Sequence, residues 1–283
     1  MKPFVIFLLS LSQLAVAQLR LPELSPRATT VEEVGYTRIE IQYGRPSARG
    51  RKMLGDHNPF GQLWRTGAGK STWLTFNTEV FINNKRLPAG SYAFLTIPGE
   101  KEWTVLLNTD TSKVYGDPSE YDPTTEAARM IVKPEKTDHY YESLTIYLDP
   151  RKYDAELYLA WENTQIHFPI VTRSHEKSLA AIENELKKNP NNIEVLAEAS
   201  YYYSMNNESS DQILKWLDHA LEVKEDRWVY MQKIELLEKQ KNYSEARKTV
   251  AKAITYLKRE KPDGDAWEQN IQWYEGRMRA WPK

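Results

Sequence analysis

The 283-residue chain contains no cysteine. Disulfides, thiolate metal sites and a cysteine nucleophile are therefore excluded. It also lacks an excess of either charge. Lys and Arg total 38 against 39 Asp and Glu, for a formal net charge of -1. The electrostatic footprint of a nucleic-acid binder is missing, so no nucleic-acid partner is expected. No apolar run reaches the ~20 residues of a membrane-spanning helix, so no membrane span is expected. Low-complexity and collagen-like composition are absent as well.

What is present begins with an address. Met1 and Lys2 supply a positive start, Phe4 to Leu9 form a continuous apolar run, and Ala15-Val16-Ala17 is a small-x-small pattern. This layout predicts a secretory signal peptide over residues 1–17, cleaved between Ala17 and Gln18. Ser10, Ser12 and Gln13 interrupt the apolar stretch, which argues against an anchor. An exported chain without disulfides must rest on its core alone, which suits a bacterial periplasm.

The remainder divides by texture. Up to Thr172 the apolar period is close to two. Ile39, Ile41 and Tyr43 share a face, as do Leu157, Leu159 and Trp161, and Pro98-Gly99-Glu100-Lys101 reads as a hairpin turn between two apolar runs. Strands are expected at 36–43, 72–76, 79–82, 90–97, 103–107, 128–132, 143–148, 155–161 and 166–170. Their density predicts an antiparallel β-sandwich over residues 18–172. From Arg173 the spacing becomes three and four. About six helices of ~11–16 residues are expected over residues 173–283. Ile213, Leu217 and Ala220 are followed one period later by Ala246, Val250 and Ala253. That offset is close to the ~34-residue tetratricopeptide period. The expected fold class is thus multidomain β + α, a β-sandwich followed by a tetratricopeptide-like array. An ordinary helical bundle is the alternative for the second half.

One stretch is motif-dense. Gly67-Ala68-Gly69-Lys70-Ser71-Thr72 mimics the end of a Walker A loop, but Trp64 stands where its first glycine belongs, and β-prone residues follow instead of a helix. Nucleotide hydrolysis is rejected on that ground. Tyr43-Gly44-Arg45-Pro46, Arg49-Gly50-Arg51, Pro59-Phe60-Gly61, Trp64-Arg65-Thr66-Gly67-Ala68, Leu87-Pro88-Ala89-Gly90-Ser91-Tyr92, Ile97-Pro98-Gly99-Glu100 and Glu102-Trp103-Thr104 lead on to Glu142, Leu144-Thr145-Ile146 and Trp161-Glu162. These blocks resemble a family of exported bacterial proteins catalogued as domain of unknown function 2911, from about Ser25 to Ile170. The resemblance implies an exported β-domain and supplies no activity. The family usually carries Asn-Glu after Gly67-Ala68. Gly69-Lys70 stand there in this chain, which implies that any role of that pair is altered.

Arg45, Arg49, Arg51, Arg65 and Lys70 are interleaved with Trp64 and Trp73. Guanidinium forks suit oxyanions, and an indole face stacks on sugars or cations. Arg45, Arg51, Trp64 and Arg65 are therefore the candidate ligand-binding residues, for an anionic or sugar ligand. The competing reading pairs these arginines with Glu102, Glu142 and Glu162 while the tryptophans fill the core. It is preferred, because such pairs need no ligand.

No catalytic motif is complete. His57, His139, His167, His175 and His219 form no metal-ligand spacing, and no Gly-x-Ser-x-Gly elbow exists. No metal and no cofactor are expected. The leading expectation is a non-enzymatic envelope protein of binding or scaffold type, with a protein or peptide partner on the helices. The alternatives are a carbohydrate-active hydrolase or isomerase with a site near residues 45–73, and a purely structural role.

Overall fold

A computed structural model describes residues 22–262 and 266–282. The expected signal peptide and its cleavage point lie outside these residues. The described chain forms two compact units, one ending at Ser174 and one beginning at His175.

The first unit is antiparallel β throughout. Its strands are β1 (Arg27–Val34), β2 (Thr37–Gly44), β3 (Thr72–Phe76), β4 (Val80–Ile82), β5 (Lys85–Leu87), β6 (Gly90–Ile97), β7 (Trp103–Asn108), β8 (Glu126–Val132), β9 (Glu135–Arg151) and β10 (Asp154–Ile170). Six of them form one sheet in the order β1-β2-β3-β6-β7-β8, while β9 and β10 form a long hairpin and β4 and β5 a short one. The alternation read in the sequence decides which face each strand buries. Ile39, Ile41, Leu74, Phe76, Phe94, Val105 and Leu107 from the sheet join Leu144, Ile146, Leu157, Leu159, Trp161 and Phe168 from the hairpin in one core. The result is a β-sandwich with the hairpin as its second layer.

The strand expectations are corrected at β1, at β5, which is absent from them, and at β10. β1 was not expected, because only Ala28, Val31 and Val34 are apolar in it. It is an edge strand that pairs along its whole length with β2. Residues 155–161 and 166–170 are one strand, not two. The polar run Glu162-Asn163-Thr164-Gln165 is crossed by register shifts in the β9–β10 ladder rather than by a turn. Such irregularities re-aim side chains, and here the one affected is Glu162.

The second unit is α-helical. Its helices are α1 (Ser174–Lys188), α2 (Ile193–Met205), α3 (Ser210–Val223), α4 (Arg227–Lys239), α5 (Tyr243–Glu260) and α6 (Ala266–Ala280). Asn192, Ser209, Asp226 and Asn242 cap α2 to α5, each accepting a backbone N–H of its own first turn. These caps replace partners the first turn cannot find within the helix. The buried residues recur at a spacing of 33. Ile213, Leu217 and Ala220 of α3 are matched by Ala246, Val250 and Ala253 of α5, and Leu196 and Ala197 of α2 by Val229 and Tyr230 of α4. No helix among the described residues is long and apolar enough to cross a membrane.

Candidate functional site

The long connection between β2 and β3 carries the arginine-rich stretch. It contains little regular structure, yet it is bonded along its length. Leu144 N donates to the Pro46 carbonyl at 2.9 Å and Ala48 N to the Glu142 carbonyl at 2.7 Å. Ser47 and Ser143 exchange a hydroxyl hydrogen bond at 2.7 Å. Trp64 and Thr96 donate to one another's carbonyls at 2.7 and 2.9 Å, and the Thr72 hydroxyl donates to the Thr66 carbonyl at 2.6 Å. Two acids complete the frame. Glu142 Oε1 accepts from Arg49 N at 2.7 Å. Glu162 accepts from Met53 N and Leu54 N at 3.0 Å each. Arg49, Thr66 and Glu162 all have left-handed backbone, at φ 51, 56 and 53. That conformation is disfavoured for residues with a Cβ, and clusters of it occur at functional sites.

This frame encloses a cleft of about 460 Å³. Its lining includes Arg49, Arg51, His57 and Arg65, together with Trp64 and Trp161, and no carboxylate. A neighbouring depression of about 240 Å³ shares His57, Asn58, Trp64 and Arg65 and adds Tyr115. Burial pushes the Tyr115 phenol up to about 12, so it stays protonated at neutral pH. The two indoles stack at 5.6 Å between centroids, and Trp103 meets Trp64 edge-on at 6.4 Å. Trp64 is 8% exposed and its Nε1 donates to the Gly67 carbonyl at 3.2 Å. Trp64 thus belongs to the floor of the cleft.

The expected pairing of these arginines with acids is corrected. Arg45 Nε donates to the Leu144 carbonyl and Nη2 to Thr145 Oγ1, both at 3.1 Å. Arg49 Nη2 donates to the Leu24 carbonyl at 2.8 Å. Arg51 Nε and Nη2 donate to the Ala48 and Ser47 carbonyls at 3.0 Å, and Arg65 Nη1 to the Gly69 carbonyl at 2.8 Å. Among the described residues no carboxylate lies within ion-pair distance of these four guanidinium groups. The roles are exchanged relative to expectation: Glu142 and Glu162 hold backbone amides, and the arginines hold carbonyls. Each guanidinium has five N–H donors, so Arg51 and Arg65 retain donors with no protein acceptor among the described residues. The guanidinium groups of the cleft are thus left without an ion-pair partner among the described residues.

Of the four candidate residues, Arg51, Trp64 and Arg65 line the cleft, and Arg45 does not. Arg45 is pinned to β9 instead. Arg49 and His57 also line it. Sequence spacing offers no way to separate Arg49 from Arg45, and His57 reads as part of a polar turn before Pro59. Gly69 has φ +70, and Lys70 is exposed.

A second titratable cluster lies on the outer side of the hairpin. Ile166 and Phe168 are buried, so His167 between them faces outward. Its Nδ1 lies 2.6 Å from Glu156 Oε1 and its Nε2 3.5 Å from Glu135 Oε1. The hydrogen bond to Glu156 raises the imidazole above its usual range. No group of three metal-ligating side chains comes together among the described residues.

No curated protein and no solved structure matched this chain. A family model described as "Protein of unknown function (DUF2911)" matches residues 25–170, which takes in the sandwich and every residue of the cleft apart from Leu24. Because that match covers more than half of the chain, the protein belongs to the DUF2911 family.

Proposed function

We propose that this chain is an exported, non-enzymatic binding protein. Its β unit recognises an anionic group, a carboxylate or phosphate, in the cleft above Trp64. The observation that carries this reading is the composition of the lining: three arginines and a histidine line one cleft, and none of its lining residues is a carboxylate. A water-accessible guanidinium fork held by backbone carbonyls keeps its orientation and binds oxyanions bidentately. A carbohydrate hydrolase would need two carboxylates facing its substrate, and this cleft supplies none among its lining residues. The helical unit, with buried positions recurring every 33 residues, is read as a tetratricopeptide-like array that contacts a protein or peptide partner.

Calorimetric titration of the full chain with inorganic phosphate, glucuronate and acetate tests the β-unit reading. Binding of at least one of them is expected. Arg51→Ala and Arg65→Ala each weaken it by about tenfold, the loss of one charge-assisted hydrogen bond. Arg45→Ala leaves it unchanged. Absence of binding to all three, or equal affinity in all three variants, overturns the reading.

A further inference from the structure

The arginine cleft and the depression of about 240 Å³ beside it share His57, Asn58, Trp64 and Arg65. They differ in charge. The cleft adds Arg49 and Arg51 to the shared residues, whereas the depression adds Gln62, Tyr115 and Gly116. Acids stand close behind the depression. Glu120 accepts from Gly116 N at 3.3 Å, and the Tyr115 hydroxyl donates to the Asp110 carbonyl at 2.7 Å. Burial first, and then nearby charges including those of Asp110 and Glu120, raise the Tyr115 phenol. A second anion is disfavoured there, while neutral hydroxyls are not. Gln62 and His57 are exposed, and their side chains make no hydrogen bond or ion pair among the described residues. The Gln62 carboxamide therefore offers two donors and an acceptor at the depression.

The cleft itself selects the anion. A carboxylate brings one negative charge to three guanidinium groups that have no ion-pair partner among the described residues. A phosphate monoester brings nearly two charges at neutral pH and three acceptor oxygens. We infer that the ligand is a sugar phosphate, its phosphate in the cleft with Arg49, Arg51 and Arg65 and its hydroxyls in the depression with His57 and Gln62. Arg65 lines both and marks the junction. At about 460 Å³ the cleft falls within the ~300–1,000 Å³ of small-molecule sites. The inference rests on the anion-binding reading of the cleft and names its ligand class. The same chemistry occurs in a free sugar phosphate and in a phosphorylated sugar of a larger glycan.

The test titrates the full chain calorimetrically with ribose 5-phosphate, glucose 6-phosphate, mannose 6-phosphate, inorganic phosphate, glucuronate and glucose. At least one sugar phosphate is expected to bind about fivefold or more tightly than inorganic phosphate and than glucuronate, the gain of about one hydrogen bond or more. Glucose alone should not bind. Gln62→Ala, at an exposed position, should leave the melting temperature unchanged. It should weaken the sugar phosphate about fivefold and leave inorganic phosphate unaffected. Arg51→Ala should weaken both. The methyl glycoside of the tightest sugar phosphate separates the two sources: equal binding marks a sugar linked within a glycan, loss of binding marks a free sugar phosphate, and either supports the class. Inorganic phosphate or glucuronate binding as tightly as every sugar phosphate overturns the inference and leaves the anion-binding reading standing. A Gln62→Ala effect of the same size on inorganic phosphate and on the sugar phosphate, or no effect on either, overturns the inference in the same way. Absence of binding to every anion overturns both.

Discussion

Glu162 reaches from β10 to Met53, its two carboxylate oxygens taking the Met53 and Leu54 amides at 3.0 Å each. The irregularity in the β9–β10 ladder places Glu162 at φ 53 and aims it at the arginine-bearing loop. Replacing it with glutamine turns one acceptor into a donor facing another donor. Glu162→Gln is expected to lose about 1–3 kcal/mol, the penalty of an unsatisfied amide beside a lost charged acceptor. Urea denaturation followed by tryptophan fluorescence measures this. An unchanged midpoint would mean that the loop is held without Glu162.

Gly44 closes β2 against the same loop. A Cβ at this position would lie 1.9 Å from the Ala68 carbonyl oxygen, which is backbone and cannot rotate away. Gly44→Ala should therefore destabilise the β unit by about 3 kcal/mol or more. The measurement is again chemical denaturation. A loss under about 1 kcal/mol would show that the strand and loop separate easily.

The tryptophan floor gives a third expectation. Trp161 stacks on Trp64 and donates from Nε1 to the Glu142 carbonyl at 3.4 Å. Trp161→Ala removes a fully buried ring and should lower stability by about 3–5 kcal/mol. Differential scanning calorimetry of the full chain would read it as an earlier transition. A change confined to fluorescence, with no thermal shift, would contradict the packing described.

His167 sets a pH dependence. Its folded-state affinity for a proton is raised, first through the hydrogen bond to Glu156. The stabilisation is therefore complete below the unfolded value of 6.5 and is lost as pH rises through the raised folded value. The stability difference between the parent and His167→Gln should be larger at about pH 5.5 than at about pH 9. Denaturation midpoints at the two pH values decide it. A difference that grows toward alkaline pH would reverse the sign and refute the pairing with Glu156.

Much of this architecture could be read directly. Period-two alternation at Ile39, Ile41 and Tyr43, and at Leu157, Leu159 and Trp161, identifies buried strand faces because a pleated strand turns successive side chains to opposite sides. The spacing of Ile213, Leu217 and Ala220 identifies a helix for the equivalent reason. β1 escaped notice because an edge strand has few apolar residues to alternate. The polar run Glu162 to Gln165 splits the expected strand in two because a ladder irregularity, like a turn, interrupts the apolar alternation. β6 and β7 depart from alternation for a third reason. Ala93, Leu95 and Leu106 on their second face are covered by Tyr115 from the loop after β7, a contact distant in sequence.

Local pattern set the order of strands and helices, the turns between them and the presence of an arginine-rich segment, since each depends on neighbours a few residues away. Which arginines face the cleft was decided by folding. Arg45 and Arg51 are alike in type and lie in the same stretch, yet one is pinned to Leu144 and Thr145 and the other turns back onto Ser47 and Ala48 at the cleft wall. Glu142 and Glu162 were expected to neutralise them and hold loop amides instead. Such partners come from strands about a hundred residues away, and only the packed sandwich brings them within hydrogen-bond reach, a distance of about 3 Å that no spacing along the chain encodes.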